Sequence, residues 1–292
     1  MKYIIYALMP LGVLIGAASL ACIVSYFMLL VIGDVFPLDK VISKVAKLFL
    51  VLSIFPAMYF LKLNKQDLGL AESFVFIKQL VQGLGLGLLT LMPILIVLYG
   101  LGVNVIDESQ PWTVLWMLKK LTISLLLALL ISFAEEPIFR GALFAGLKNK
   151  MPVSWAIVIS SIYYASLHFL NSHSRFSYDE MTFFSGFIML GEALVNVFNA
   201  DNIPAFSALL MVGVFLAVVR TRVSESLGLC IGCHTAWVWQ IKMNKSLFNL
   251  DPDSAYFYLV SSYDGIIGPL VTVWMLLVVT AFLAYRQFYK QG

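Results

Sequence analysis

The stretch LALLISFAEEPIFRGALFAGL, Leu127 to Leu147, is apolar enough for a membrane helix, yet it contains Glu135, Glu136 and Arg140. About 20 mainly apolar residues suffice for a helix to cross a bilayer. Ionisable side chains inside such a helix are costly and commonly mark a functional site. Glu136 and Arg140 are in i, i+4 relation and can form an ion pair on one helix face. Glu135 lies about 100° further round the helix and has no such partner, so it is a candidate functional carboxylate.

The composition of the whole chain indicates a membrane protein. Of the 292 residues, 61% are hydrophobic and 12% are charged, and the net charge is +3. Charge-free runs cover residues 3–33, 79–106 and 265–285, each long enough to span a bilayer. We therefore expect an all-α, polytopic membrane protein whose first span is retained rather than cleaved as a signal peptide. The lipid bilayer is its expected partner, and nothing in the small net charge indicates nucleic-acid binding.

Apolar runs and their polar breaks predict eight transmembrane helices, with both termini in the cytoplasm. The predicted spans cover residues 5–32, 43–61, 80–103, 115–147, 153–171, 204–219, 225–241 and 265–286. We divide the chain into N-terminal transmembrane helices, residues 1–110, and a membrane domain, residues 111–292, that contains the candidate site.

The segment 181–199 predicts an amphipathic helix at the membrane interface rather than a ninth span. It follows a capping-box pattern over residues 177–180. Its polar residues recur at helical spacing on one side: Ser185, Glu192, Asn196 and Asn199. A ninth span would also place Arg220 and Arg222 outside, against the positive-inside rule.

Two further spans place histidines near the depth of Glu135. Tyr164 and His168 share one face of the fifth predicted span, and His234 lies within the seventh. Counted from the turn between the fourth and fifth spans, Glu135 and His168 differ in depth by about one helical turn. A carboxylate and an imidazole can together deprotonate a water molecule, while a second imidazole can stabilise an oxyanion. The same side chains could instead bind zinc, with Glu136 as a fourth ligand.

The seventh span also contains the motif C-x-x-C-H within GLCIGCHTAWVW, residues 228–239. That spacing attaches haem covalently, and Cys230, Cys233 and His234 could also contribute to a zinc site. A haem site needs an accessible segment, however, and a zinc site needs a fourth ligand. Cys22, the third cysteine, is far away in sequence. We interpret the cysteines as small buried packing residues and expect no cofactor, with zinc at the carboxylate and the two histidines as the alternative.

Three segments, taken in order, resemble the motifs of the CPBP family, also called Abi, of CAAX prenyl endopeptidases and bacteriocin-processing or immunity proteins. They are Glu135-Glu136-x-x-x-Arg140, Tyr164-x-x-x-His168 and Gly-Cys-His234-Thr-Ala-Trp237-Val, within residues 120–245. The resemblance implies an eight-span intramembrane endopeptidase. It assigns water activation to Glu135 and His168 and oxyanion stabilisation to His234. The residues it implies as supporting ones are Glu136, Arg140, Tyr164 and Trp237. Family members are often labelled metalloproteases, but water activation by a glutamate does not require a metal.

Two positions depart from the family pattern. Tyr164 stands where the second motif has phenylalanine, which is a mild change. Val238 stands where the third motif has asparagine as a second oxyanion donor, and valine cannot donate. Either Trp237, which has an indole N–H, is the substitute, or His234 works alone, or activity is weak.

We therefore predict an intramembrane endopeptidase, of glutamate type or a metalloprotease, in a bacterial inner membrane. Its expected substrate is a membrane-embedded or lipidated peptide or protein. The main alternative is a non-catalytic membrane scaffold or immunity-type protein that keeps the site as a remnant. A proton-relaying transporter is a third hypothesis, although the sequence contains no inverted repeat.

Overall fold

A computed structural model describes residues 2–289 as a helical bundle, which confirms the predicted all-α class. The helices are α1 (Lys2–Ile32), α2 (Leu38–Leu52), α3 (Ile54–Leu61), α4 (Ser73–Gly100), α5 (Val114–Glu136), α6 (Phe144–Lys148), α7 (Val153–Leu167), α8 (Ser185–Asn196), α9 (Ile203–Arg222), α10 (Leu227–Leu247) and α11 (Pro269–Tyr289). A π-helical turn, Pro137–Leu143, joins α5 to α6, and short 3-10 turns cover Ala200–Asn202 and Phe257–Leu259. Two short strands, β1 (Asn104–Ile106) and β2 (Phe248–Leu250), pair antiparallel. The C-terminus, predicted to be cytoplasmic, lies outside the described residues.

Several helices have the length and composition of membrane spans, so the protein is an integral membrane protein. Within the described residues, five segments meet both requirements: 3–32, 38–61, 73–100, 114–148 and 200–222. The segments 153–167 and 269–285 are apolar but shorter. α10 is less apolar because it carries polar side chains that are buried inside the bundle, among them His234, Gln240 and Asn244. Each predicted span overlaps a helix, and the count of eight spans stays a prediction.

The helix in the fifth predicted span is shorter than expected. α7 ends at Leu167, so the prediction that this helix continues to residue 171 is wrong. The chain tightens there, because the His168 N–H donates to the Ala165 carbonyl at 3.2 Å instead of to Tyr164. His168 therefore follows the helix, and the Tyr164 carbonyl is free to accept from a side chain.

α8 begins later than predicted and turns its polar side inward. It starts at Ser185, so the predicted capping box is wrong: the Ser177 hydroxyl donates to the Glu180 carboxylate at 2.8 Å inside a turn. Ser185 and Asn196 are buried, whereas Val195 is 72% exposed. The polar side of α8 thus packs on the bundle and its apolar side faces outward, as suits a helix in contact with lipid.

Glycines bring α4 and α10 into backbone contact. A Cβ on Gly83 would lie 2.2 Å from the Leu229 carbonyl oxygen, and one on Gly232 would lie 2.1 Å from the Leu80 carbonyl oxygen. Small residues permit this close approach in membrane bundles. The two predicted parts of the chain, before and after residue 110, therefore meet in one tight interface, and α4 fixes the position of α10.

We predict that Gly83→Ala destabilises the bundle and that Gly85→Ala, on a different side of α4, does not. The methyl group at position 83 would collide with backbone, and overpacking costs about 1–3 kcal/mol. A Cβ on Gly85 would meet nothing within 4 Å, and alanine favours a helix over glycine by roughly 1 kcal/mol. Thermal unfolding in detergent measures both effects. Equal melting temperatures for the two variants would contradict the close contact.

Candidate active site

Three buried ionisable side chains meet where α5 and the π-helical turn pass α10. His234 Nδ1 lies 2.8 Å from Glu136 Oε1, and Arg140 Nε lies 3.4 Å from Glu136 Oε2. Glu136, Arg140 and His234 are only 0%, 1% and 3% exposed. The predicted ion pair between Glu136 and Arg140 is therefore present. Because buried charges are costly unless they are paired, the cluster constrains the position of α5 against α10.

The contact with Glu136 sets the orientation of the His234 ring. A carboxylate paired with an arginine accepts hydrogen bonds and donates none, so Nδ1 carries a proton and donates to Glu136. The other ring nitrogen, Nε2, lies 4.0 Å from Glu135 Oε2. That nitrogen is an acceptor in the neutral ring and a donor in the imidazolium. His234 thus presents Nε2 towards Glu135.

Glu135 differs from its neighbour Glu136 in having no cationic partner besides His234 among the described residues. Its side chain is 24% exposed, against 0% for Glu136. Among the described residues, the Glu135 Oε2 atom has no hydrogen-bond partner. The two adjacent carboxylates therefore have separate environments. Glu136 is neutralised inside the bundle, and Glu135 is available to a substrate or a water molecule.

His168 is oriented by the end of α7. Its Nδ1 lies 2.8 Å from the Tyr164 carbonyl oxygen, which the tightened helix end leaves free. A carbonyl can only accept, so Nδ1 carries the proton and Nε2 of the neutral ring has a lone pair. His168 is therefore arranged as a proton acceptor at Nε2.

The Tyr164 ring lies between the two histidines and the arginine. Its centroid is 4.8 Å from that of His168 and 6.1 Å from that of His234, both edge-on. The Arg140 guanidinium carbon lies 4.3 Å from the same centroid, which is a cation–π distance. An aromatic residue at this position thus packs the three motifs against one another.

Glu135 and His168 both line a cavity of about 640 Å³ whose walls are mainly apolar. The walls include side chains from α1, α2, α5 and α8, for example Leu14, Leu50, Leu130 and Leu190. An apolar cavity with a few convergent polar groups is typical of a ligand site. Because Leu14 and Leu50 precede the motifs by many residues, sequence reasoning missed the contribution of α1 and α2 to the cavity.

Tyr263, in the loop between β2 and α11, also lines this cavity and was missed by sequence reasoning. Its ring centroid is 5.3 Å from that of Phe169 and 6.4 Å from that of His168. Desolvation by packing, then the charges of Asp264 and Glu135, raise the pKa of Tyr263 to about 12. The phenol is therefore protonated at neutral pH and can donate a hydrogen bond. No periodic pattern marks a residue in such a loop, so no sequence signal indicated it.

Trp237 has a partner outside the cavity. Its indole N–H donates to the Thr90 hydroxyl of α4 at 2.8 Å, and its ring is buried beside Phe215. Val238, the next residue, is half-buried. The N–H that could replace the asparagine of the family pattern is thus engaged by α4.

The cysteines of the C-x-x-C-H motif are packed in the apolar core. Cys230 and Cys233 are free and buried, and Cys230 contacts the Leu216 carbonyl at 3.6 Å. Across residues 2–289, no group of three or more His, Cys, Asp and Glu side chains has an arrangement that could bind a metal ion. At Glu135, His168 and His234, both Nδ1 atoms already have protein partners. Such Nδ1 partners are also usual for metal-binding histidines, so both Nε2 atoms and the Glu135 carboxylate remain possible ligands, and the absence of a metal stays a prediction.

Comparison with protein families identifies a match to part of the chain. Residues 117–240 match the family model of the type II CAAX prenyl endopeptidases, described as Rce1-like. No curated protein and no solved structure matches the chain. The matched segment covers less than half of the chain and includes all three motifs, from Glu135 to Trp237. Over residues 117–240 the match therefore confirms the similarity to the CAAX endopeptidase family that the three motifs indicated.

Proposed function

We propose that the protein is an intramembrane endopeptidase that hydrolyses a peptide bond of a membrane-associated or lipidated substrate. The observation that carries this proposal is the pair of proton-accepting groups, Glu135 and His168 Nε2, at one apolar cavity. The family of residues 117–240 supports the reaction class. A mainly apolar cavity suits a membrane-embedded or lipidated substrate.

The proposed reaction begins with a water molecule between Glu135 and His168. As the water oxygen attacks the peptide carbonyl carbon, its proton passes to this pair, and the carbonyl π electrons move to the oxygen. The proton is then transferred to the leaving amine nitrogen as the C–N bond breaks. The products are a new carboxyl terminus and a new amino terminus. Glu135 and His168 together accept the proton of the water molecule and later donate it to the amine, so hydrolysis needs only the peptide and water.

His234 is the proposed donor to the oxyanion. With Nδ1–H directed at Glu136, its other nitrogen, Nε2, lies 4.0 Å from Glu135 Oε2, beside the proposed reaction centre. In the imidazolium form this nitrogen donates to the negative oxygen, and Glu136 keeps the ring in position. Arg140 acts through Glu136, because it pairs with the second oxygen of the same carboxylate.

We predict that Glu135→Gln abolishes cleavage while leaving the fold intact. The amide cannot accept the proton, and loss of a general base lowers rates by about 100- to 10,000-fold. Glu108→Gln, in an exposed loop, is the matched control. The measurement compares new peptide termini in membranes of cells that carry the wild type or either variant. Identical sets of termini for the wild type and Glu135→Gln would refute the assignment.

We predict that metal removal does not change the rate. Because the proposed water activation uses only Glu135 and His168, treatment with 1,10-phenanthroline should leave cleavage of a prenylated quenched peptide unaltered. If activity is lost and added zinc restores it, the result would instead favour the metalloprotease hypothesis, with Glu135, His168 and His234 as ligands.

A non-catalytic scaffold is the second candidate, and one observation favours it. Val238 removes an oxyanion donor of the family pattern, and Trp237 does not supply a free one. If the protein is a scaffold, it should still bind its partner when Glu135, His168 and His234 are replaced together. Immunoprecipitation of the triple variant, in parallel with the comparison of termini, separates the two functions.

We also propose a bacterial inner-membrane location with both termini cytoplasmic. Lys148 lines a pocket with Arg222 and Glu225, next to the start of α10, whereas Asp253 follows the end of α10, so the two positions lie at opposite ends of that helix. We predict that a membrane-impermeant maleimide labels Asp253→Cys in intact spheroplasts and Lys148→Cys only after permeabilisation. Both positions are exposed, whereas the native cysteines are buried. The reverse labelling pattern would invert the orientation.

A further inference from the structure

The proposed site has one oxyanion donor on α10 where the family pattern provides two. His234 Nε2 is available, but Val238 has no donor, and the Trp237 N–H is bonded to Thr90. Preorganised donors around a developing oxyanion are usually the largest single contribution to this type of catalysis. A second donor would therefore have to come from another element that reaches the cavity.

The loop at residues 260–268 is the element that qualifies, because its backbone is firmly fixed. Asp264 Oδ1 accepts from the backbone N–H groups of Ile266 at 2.9 Å and Ile267 at 2.7 Å. Both isoleucines are buried. A Cβ on Gly268 would lie 2.6 Å from the Val260 carbonyl carbon, so the two ends of the loop touch. The loop thus has the rigidity that a catalytic donor needs.

Tyr263 lies at the centre of this fixed loop and faces the cavity. It lines the cavity together with Glu135 and His168 and is 41% exposed. The Glu135 charge contributes to the raised pKa of the Tyr263 phenol, so the two groups are near each other. Its ring packs against Phe169 and His168, whereas its hydroxyl makes no hydrogen bond with the side chains described in residues 3–285. The loop therefore presents an unused O–H donor to the space beside the water-activating pair.

We propose that the Tyr263 hydroxyl is a catalytic residue, the second donor to the oxyanion, in place of the missing side chain at Val238. This role rests on the proposed peptidase function. When water attacks the substrate carbonyl, the negative oxygen accepts one hydrogen bond from His234 Nε2–H and one from the Tyr263 O–H. Both protons stay on their residues, so the donor stabilises charge without a change in covalent bonding.

The test compares Tyr263→Phe with Tyr258→Phe in the purified full-length protein. Phenylalanine keeps the ring contacts with His168 and Phe169 and removes only the hydroxyl. We expect kcat for a prenylated quenched peptide to fall roughly 100-fold, the lower end for loss of an oxyanion donor, with KM and melting temperature nearly unchanged. Tyr258 is 67% exposed and does not line the cavity, so Tyr258→Phe should behave as the wild type.

A peptide phosphinate, which mimics the tetrahedral oxyanion, provides the second measurement. Its inhibition constant should rise in Tyr263→Phe by about the factor lost in kcat, because both report the same hydrogen bond. Equal kcat and equal inhibition in the wild type and Tyr263→Phe would overturn the role of Tyr263 alone. A wild type that cleaves no membrane substrate in cells and no test peptide would overturn the proposed function as well. A rise in KM with unchanged kcat would make Tyr263 a substrate-binding residue and would also contradict this role.

Discussion

The buried carboxylate of Glu136 is the constraint on which the site depends. It is enclosed by apolar helices, and its charge is compensated by Arg140 from the π-helical turn and by His234 from α10. Removing Arg140 would leave the buried Glu136 charge without its arginine partner, which is strongly destabilising. Because these contacts come from separate helices, they fix the direction of the imidazole. The ring nitrogen nearest to the neighbouring Glu135 is consequently His234 Nε2.

Adjacent residues on one helix have different chemistry because their surroundings differ. Glu136 points into the cluster and takes part in structure, while Glu135, about 100° away on the helix, points into the cavity. The helix period alone separates a structural carboxylate from a reactive one. The same logic applies at the end of α7, where one shortened turn frees a carbonyl for His168 and thereby selects the nitrogen that can accept a proton.

Part of this arrangement follows from sequence and part does not. The Glu136–Arg140 pair and the different helix side of Glu135 follow from the period of an α-helix, although Arg140 itself lies in the π-helical turn. The start of α8 was predicted wrongly, because Ser177 and Glu180 satisfy each other within a turn instead of capping a helix. Tyr263 and Thr90 could not have been found, since a loop conformation and a contact between distant helices depend on packing of the whole chain.

The segment that matches the family differs from the part of the chain that packs together, because α4 lies outside the match and contacts α10 closely. The segment that matches the family, residues 117–240, ends seven residues short of the end of α10 and does not include α4. Expressed alone, it would expose the glycine-lined face of α10 and the Trp237 N–H, both of which α4 covers in the intact chain. Recombination between relatives at the boundary of the matched segment would therefore have to exchange α4 and α10 together to keep their surfaces complementary.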